Sequence, residues 1–195
     1  DPNYLVSVVT SRSHRSRALR PYMTHDGLTS LLNHSKLKER LEMEILRSRR
    51  YGHPLAYAMI DLDRFKQVND THGHAAGDQV LRSLSRVLSQ RLRRTDIAGR
   101  YGGEEFGVVL TETNARGAET VLQTICHEFA AIRHGSEPAA FNVTLSCGVA
   151  EFQPHDSLES LSAAADAALY EAKRGGRNRI VIARRIDTVT AQSHA

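Results

Sequence analysis

The chain has 195 residues, 41% of them hydrophobic, which suits one domain with a real core and leaves no room for a second. A net charge of +4 and a pI near 9.3 allow an anionic partner; much of the basic excess sits in the first fifty residues and in the Arg91 to Arg94 cluster, and nucleotide phosphates satisfy it as well as nucleic acid does. The basic residues are not interleaved with aromatics, no apolar run approaches the roughly 20 residues of a membrane span, and no secretory signal is recognisable, so the expectations are no nucleic acid, no membrane span and a cytoplasmic location.

In chain order, Tyr4 to Thr10 reads as a short strand and the Arg-rich segment through Arg20 as a linker helix, an opening expected of a fragment joined to an upstream sensory or receiver domain. Leu37, Leu41 and Ile45 recur at helical spacing, giving a helix from Ser35 to Arg50 with Ser35 as its cap. A strand follows at Leu55 to Ile60 and runs into an acidic segment that ends at Asp70 and holds Asp61 and Asp63. A carboxylate at the end of a buried strand is costly unless a cation or hydrogen bonds compensate it. Val80, Leu81, Leu84, Val87, Leu88 and Leu92 mark one face of a helix over Gly77 to Arg93. Asp96 to Tyr101 and Phe106 to Leu110 read as strands joined by a two-residue turn at Gly102-Gly103, which sets Glu104 and Glu105 at the tip. Taken alone, this is an ordinary hairpin with solvated charges; the second acidic segment at Asp61 turns it into a candidate metal site.

Ala115 to Arg133 repeats the helical pattern and ends at the Gly135 to Pro138 cluster. Phe141 to Val149 alternates as a strand, Leu158 to Lys173 is a helix with a small-residue face suited to packing on a sheet, and Arg179 to Ala183 is a last short strand. That order predicts an α/β domain of the α+β sandwich kind, a central and mostly antiparallel sheet flanked by helices. Cys126 and Cys147 read as reduced core thiols, and His72 and His74, which lack further ligands at zinc spacing, as loop-structuring residues. No internal repeat or low-complexity tract is present.

Six ordered segments, Asp26 to Asn33, Asp61 to Asp70, His72 to Asp78, Arg100 to Phe106, Leu145 to Val149 and Lys173 to Asn178, together resemble the GGDEF domain family, the catalytic domain of bacterial diguanylate cyclases. The resemblance covers Asp26 to about Arg179. It implies a five-stranded sheet like that of nucleotidyl cyclases and polymerase palm domains, and a division into a linker or tail at 1–25, a catalytic domain at 26–183 and a tail at 184–195. It departs from the usual pattern at Ser30, where glycine is common, and at Asn33-His34, where arginine commonly follows the asparagine; both affect the local turn and not the chemistry.

By the same resemblance, Asp61, Glu104 and the Leu62 carbonyl match ligands of Mg²⁺ or Mn²⁺, and Glu105 matches a position that either binds metal or activates the attacking hydroxyl. The amides near Arg64 and Phe65, with the side chains of Lys66, Lys173 and Arg177, match the grip on a triphosphate; Lys173 also suits a helix C-terminus on charge alone. Asn69 and Asp78 match the guanine-reading pair, the alternative for Asp78 being a helix cap. Arg93 and Asp96 match an Arg-x-x-Asp site for inhibitory product. The activity implied is condensation of two GTP into cyclic di-GMP by a homodimer, at least a transient one. Its rivals are a non-catalytic receptor for GTP or cyclic di-GMP and a cyclase making mono-cyclic or mixed nucleotides.

Overall fold

A computed structural model describes residues 24–135 and 139–184; the strand expected at Tyr4 to Thr10 and the linker helix lie outside them. The elements are α1 (His34–Tyr51), β1 (Leu55–Leu62), α2 (Phe65–His72), α3 (His74–Arg91), β2 (Ile97–Gly102), β3 (Glu105–Thr111), α4 (Ala115–Ala131), β4 (Leu145–Glu151), α5 (Leu158–Arg174) and β5 (Arg179–Ile182). The strands form one sheet in the order β2-β3-β1-β4-β5, antiparallel at every junction except the parallel pairing of β4 with β5. The expected α+β sandwich with a mostly antiparallel sheet is thus the fold observed.

β1 lies at the centre of the sheet, and all eight of its residues are buried because helices cover both faces. Its side chains divide by parity. Ala56, Ala58, Ile60 and Leu62 join the core under α3 and α4, with Leu84, Leu88, Leu122 and Phe129. Leu55, Tyr57 and Met59 join a second core under α1 and α5, with Leu37, Leu41, Leu161 and Leu169. The small-residue face of α5 serves the purpose read from sequence. A Cβ on Gly148 of β4 would sit 2.2 Å from the Ala165 carbonyl oxygen and 2.1 Å from the Leu169 nitrogen, so the helix backbone lies directly on the strand.

Several boundaries differ from expectation. The cap of α1 is Asn33, whose side chain accepts from the Lys36 amide at 2.9 Å, and Ser35 lies inside the helix. α2 was not visible in the sequence: eight residues give barely two turns of periodicity, and the acidic segment hides them. α3 begins at His74, with Gly73 at its cap, so Asp78 is not a helix cap. β4 starts at Leu145; Phe141 instead pairs with His134 in an isolated bridge and stacks on His72 at 4.0 Å. In the hairpin, Gly102 pairs with Glu105, so the turn is Gly103-Glu104 and not Gly102-Gly103. A register irregularity between Arg100 and Gly102 takes up one residue and carries Glu104 onto the turn. Only Gly103 of the two glycines has positive φ, at 50°. Ser30 holds φ at 61°, which gives a physical reason for glycine being common there. Cys126 and Cys147, far apart in sequence, are free thiols 3.7 Å apart, the first half-buried and the second buried.

Candidate active site

Parity places the first functional side chain. Asp61 continues the row of Leu55, Tyr57 and Met59, which faces α5, and Lys173 near the end of α5 meets it, Nζ to Oδ2 at 2.7 Å. The aspartate side chain is only 9% exposed. Across the ladder Asp61 pairs with Glu105, and the Leu62 amide donates to the Glu104 carbonyl at 3.4 Å, so strand pairing alone brings three carboxylates to one end of the sheet. Burial pushes the Asp61 carboxyl above its ordinary value; the Lys173 hydrogen bond and charge offset this only in part, and the nearby Glu104 and Glu105 push it further up.

Among the described residues no three His, Cys, Asp or Glu side chains form a group able to hold a metal by themselves. The donor chemistry still fits a hard divalent ion, which takes oxygen ligands, keeps several waters and is commonly bound by one or two carboxylates together with substrate phosphates. The ammonium of Lys173 against Asp61 shows that this carboxylate accepts a cation in place.

A second aspartate shapes the hairpin. Asp26 accepts from the Thr29 amide at 2.9 Å and the Thr29 hydroxyl at 2.7 Å, and it pairs with Arg100 at 3.2 Å. Arg100 in turn donates through Nε and Nη2 to the Gly103 carbonyl at 2.9 and 2.7 Å, pinning the turn that carries Glu104. Burial disfavours the Asp26 anion, but the Thr29 hydrogen bonds and the Arg100 guanidinium outweigh it, and the carboxyl titrates below its ordinary value.

Beyond β1 the chain turns through Arg64, which has φ at 56°, and no side chain caps the first amides of α2. Lys66 is exposed on this helix. Asn69 packs against the start of α3: a Cβ on Gly77 would lie 2.0 Å from its Oδ1, so the glycine leaves room for the Asn69 side chain one residue ahead of Asp78. At the far end of α5, Gly176, Arg177 and Asn178 all take positive φ, at 112°, 65° and 46°. Their loop, the Arg64 turn and Asp63 line one cleft of about 400 Å³.

Arg93 and Asp96 sit elsewhere. Asp96 accepts from the Arg93 amide at 3.0 Å and from the Thr111 amide at 3.2 Å, at the opposite end of β3 from Glu105 and roughly 20 Å away at a strand's rise. Both residues border a cleft of about 290 Å³ with Arg91, which forks onto Glu128.

The structure therefore gathers Asp61, Leu62, Glu104, Glu105 and Lys173, sets Asn69 against Gly77 next to Asp78 in the chain, brings Arg64 and Arg177 to one cleft, and keeps Arg93 and Asp96 away from both. Sequence reasoning missed Arg100 as the clamp of the hairpin, although an arginine near the end of a strand, just ahead of the two glycines, was a usable signal. It read Asp63 as a structural bystander, because the partners of that carboxylate, Thr144, Ser146 and Asn178, lie far off in the chain.

A family model described as "Diguanylate cyclase, GGDEF domain" matches residues 23–179. The chain is 40% identical over 158 residues to diguanylate cyclase DgcP of Pseudomonas aeruginosa, covering 81% of this chain and 24% of that protein. It is 41% identical over 159 residues to diguanylate cyclase DosC of Escherichia coli, covering 80% and 34% respectively. It thus spans about a quarter to a third of the length of these curated relatives. Among solved structures, the GGDEF domain of DgcB from Caulobacter crescentus, in complex with c-di-GMP, superposes with a TM-score of 0.79 at 37% identity, covering 82% of this chain and 95% of that one. The active GGEEF domain of a diguanylate cyclase from Vibrio cholerae gives 0.76 at 34% identity, covering 80% and 99%.

Proposed function

The chain belongs to the GGDEF domain family of diguanylate cyclases, and on that premise we propose that it condenses two GTP into cyclic di-GMP and two pyrophosphates. The observation that carries the reading is the Asp61 carboxylate, buried at the end of the central strand beside Glu104 and Glu105 and balanced, among the described residues, only by Lys173. A protein that keeps an under-compensated charge there has a use for it.

The roles follow from placement. Asp61, Glu104 and the Leu62 carbonyl, with Glu105 as a further ligand or as the base, would hold Mg²⁺ or Mn²⁺, which neutralises phosphate charge and acidifies the attacking 3′-hydroxyl. Lys173 exchanges Asp61 for phosphate when substrate enters and, with Lys66 and Arg177, grips the triphosphate. The amides at Arg64 and Phe65 add donors from an uncapped helix start. Gly102 is not required by the turn, since its φ is not positive and a Cβ there would meet nothing within 4 Å; close approach of a phosphate supplies a reason for it. Asp78 accepts from the guanine N1 and N2 hydrogens and Asn69 reads the remaining edge. One domain holds one GTP, so both phosphodiester bonds require two domains face to face. Arg93 and Asp96 bind the product and slow the enzyme, and an upstream domain controls encounter of the two halves. A GTP substrate and the lack, among the described residues, of any helix long and apolar enough to cross a membrane are compatible with work in the cytoplasm.

The test is incubation of the protein, alone and fused to a dimeric partner, with GTP and Mg²⁺, followed by product identification. Cyclic di-GMP is expected; its absence from both forms overturns the assignment. Full rate with ATP would remove the guanine role of Asn69 and Asp78. Undiminished product inhibition in Arg93→Ala would remove the inhibitory site.

A further inference from the structure

Asp63 is buried at 6% exposure and is not used by the mechanism above. Its Oδ1 accepts from the Ser146 hydroxyl at 2.6 Å; its Oδ2 accepts from the Thr144 hydroxyl at 2.6 Å and from the Asn178 amide at 3.0 Å. Its own amide donates to the Thr144 carbonyl at 2.9 Å. One carboxylate thus joins the end of β1, the entry to β4 and the loop before β5.

The loop it holds is one that the chain resists. Arg177 and Asn178 are consecutive non-glycine residues in the left-handed region, where Cβ crowds the backbone, and such a conformation persists only when its surroundings impose it. The contacts that impose it here are the Arg177 amide on the Ala172 carbonyl at 3.0 Å, Arg179 Nε on the Arg177 carbonyl at 3.1 Å, and the Asn178 amide on Asp63. The last reaches outside the loop to the residue that precedes Arg64, itself left-handed. The two segments credited with gripping the triphosphate, the Arg64 turn and the Arg177 loop, therefore share one buried anchor.

We infer that Asp63 is a positioning residue for GTP: it touches no substrate and acts by holding Arg177 at a set distance from the β1–α2 turn, so that both sides of the phosphate grip are in register before substrate arrives. This rests on the proposed cyclase reading. A carboxylate is suited to the task because its three partners all donate. Asparagine can keep the anchor, with its oxygen facing Thr144 and Asn178 and its amino group donating to the Ser146 hydroxyl, which then turns to accept. Alanine cannot.

The experiment compares Asp63→Ala, Asp63→Asn, Arg177→Ala and the double variant Asp63→Ala/Arg177→Ala in the dimerised protein. Asp63→Ala is expected to raise KM for GTP about tenfold, the scale of one lost charge-assisted contact, with a smaller change in kcat. Asp63→Asn should restore most of it. In the Arg177→Ala background, Asp63→Ala should add little further, because its effect runs through that side chain. Hydrogen exchange at the Asn178 amide, read without substrate, should speed up in Asp63→Ala, and this measurement stands even if no cyclic di-GMP is formed. Equal KM losses with and without Arg177, or unchanged exchange at Asn178, overturn the inference. Should Asp63→Ala fail to fold, Thr144→Val, which removes one donor to the anchor, carries the same cycle: a KM rise that disappears without Arg177 supports it, and a KM that does not rise or a rise that persists refutes it.

Discussion

Asp26 and Asp61 each sit beside a basic partner in the same small domain, and burial pushes both carboxyls up, yet the net outcomes are opposite. Around Asp26, the Thr29 hydroxyl and amide and the Arg100 guanidinium outweigh the cost of burial, so the anion is comfortable and the carboxyl is held below its ordinary value. Around Asp61, Lys173 is the sole hydrogen-bond donor to the carboxylate among the described residues, two glutamates crowd it, and the carboxyl is pushed up. The Asp26 region is built to be complete as it stands, clamping the hairpin. The Asp61 region is left with negative charge that a bound cation would relieve. The compensated carboxylate clamps the hairpin, and the under-compensated one is where the proposed chemistry is placed.

The largest expected break in that contrast is Asp61→Asn. Cyclase turnover should fall by about a thousandfold or more, the scale of losing a charge that stabilises the transition state, while the metal-free variant at pH 7 should melt no lower than the parent. A clear drop in its melting temperature would show that Asp61 is scaffold after all. Next is Gly148→Ala, which forces a methyl into the α5 backbone and should cost roughly 1–3 kcal/mol by overpacking, seen as a lower denaturation midpoint with weakened turnover because Lys173 rides on the same helix. An unchanged midpoint would mean that α5 is not seated on β4 as described.

Arg100→Ala tests the clamp. Its side chain is 18% exposed and bonded to Asp26 and to Gly103, so its loss should cost about 1–2 kcal/mol, with turnover falling as Glu104 loses its support. The smallest effect is in the acid limb. The folded carboxyl of Asp26 titrates below 3.8, so its contribution to stability is complete above that pH and is lost as pH falls through the folded value. The stability gap between the parent and Asp26→Asn should therefore narrow below pH 3.8. For Asp61 the sign is reversed: its burden is present above the raised folded value and disappears as pH falls through it toward 3.8. Melting curves of the two variants across pH 3 to 7 should diverge from the parent in opposite directions, and parallel curves would erase the distinction.

Much of this was legible in the sequence because it depended on short-range pattern. The apolar spacing of Leu37, Leu41 and Ile45 and the run from Leu55 located α1 and β1, and the small-residue face of Leu158 to Lys173 foretold close packing on a sheet. The turn position, the eight-residue α2 and the late start of β4 were not legible, because a register irregularity, two helical turns and an isolated bridge at Phe141 leave no periodic trace.

The site divides along the same line. The amino-acid order alone established which groups are present: adjacent glutamates behind two glycines, an aspartate closing an apolar strand, and a basic residue ending a helix. Tertiary structure decided which of them meet. Strand pairing put Glu105 opposite Asp61, parity turned Asp61 toward Lys173, and contacts across 115 residues made Asp63 an anchor rather than a bystander. Charge and hydrophobicity are properties of a residue, but the compensation of a buried charge is a property of its neighbours, and only the folded chain chooses those.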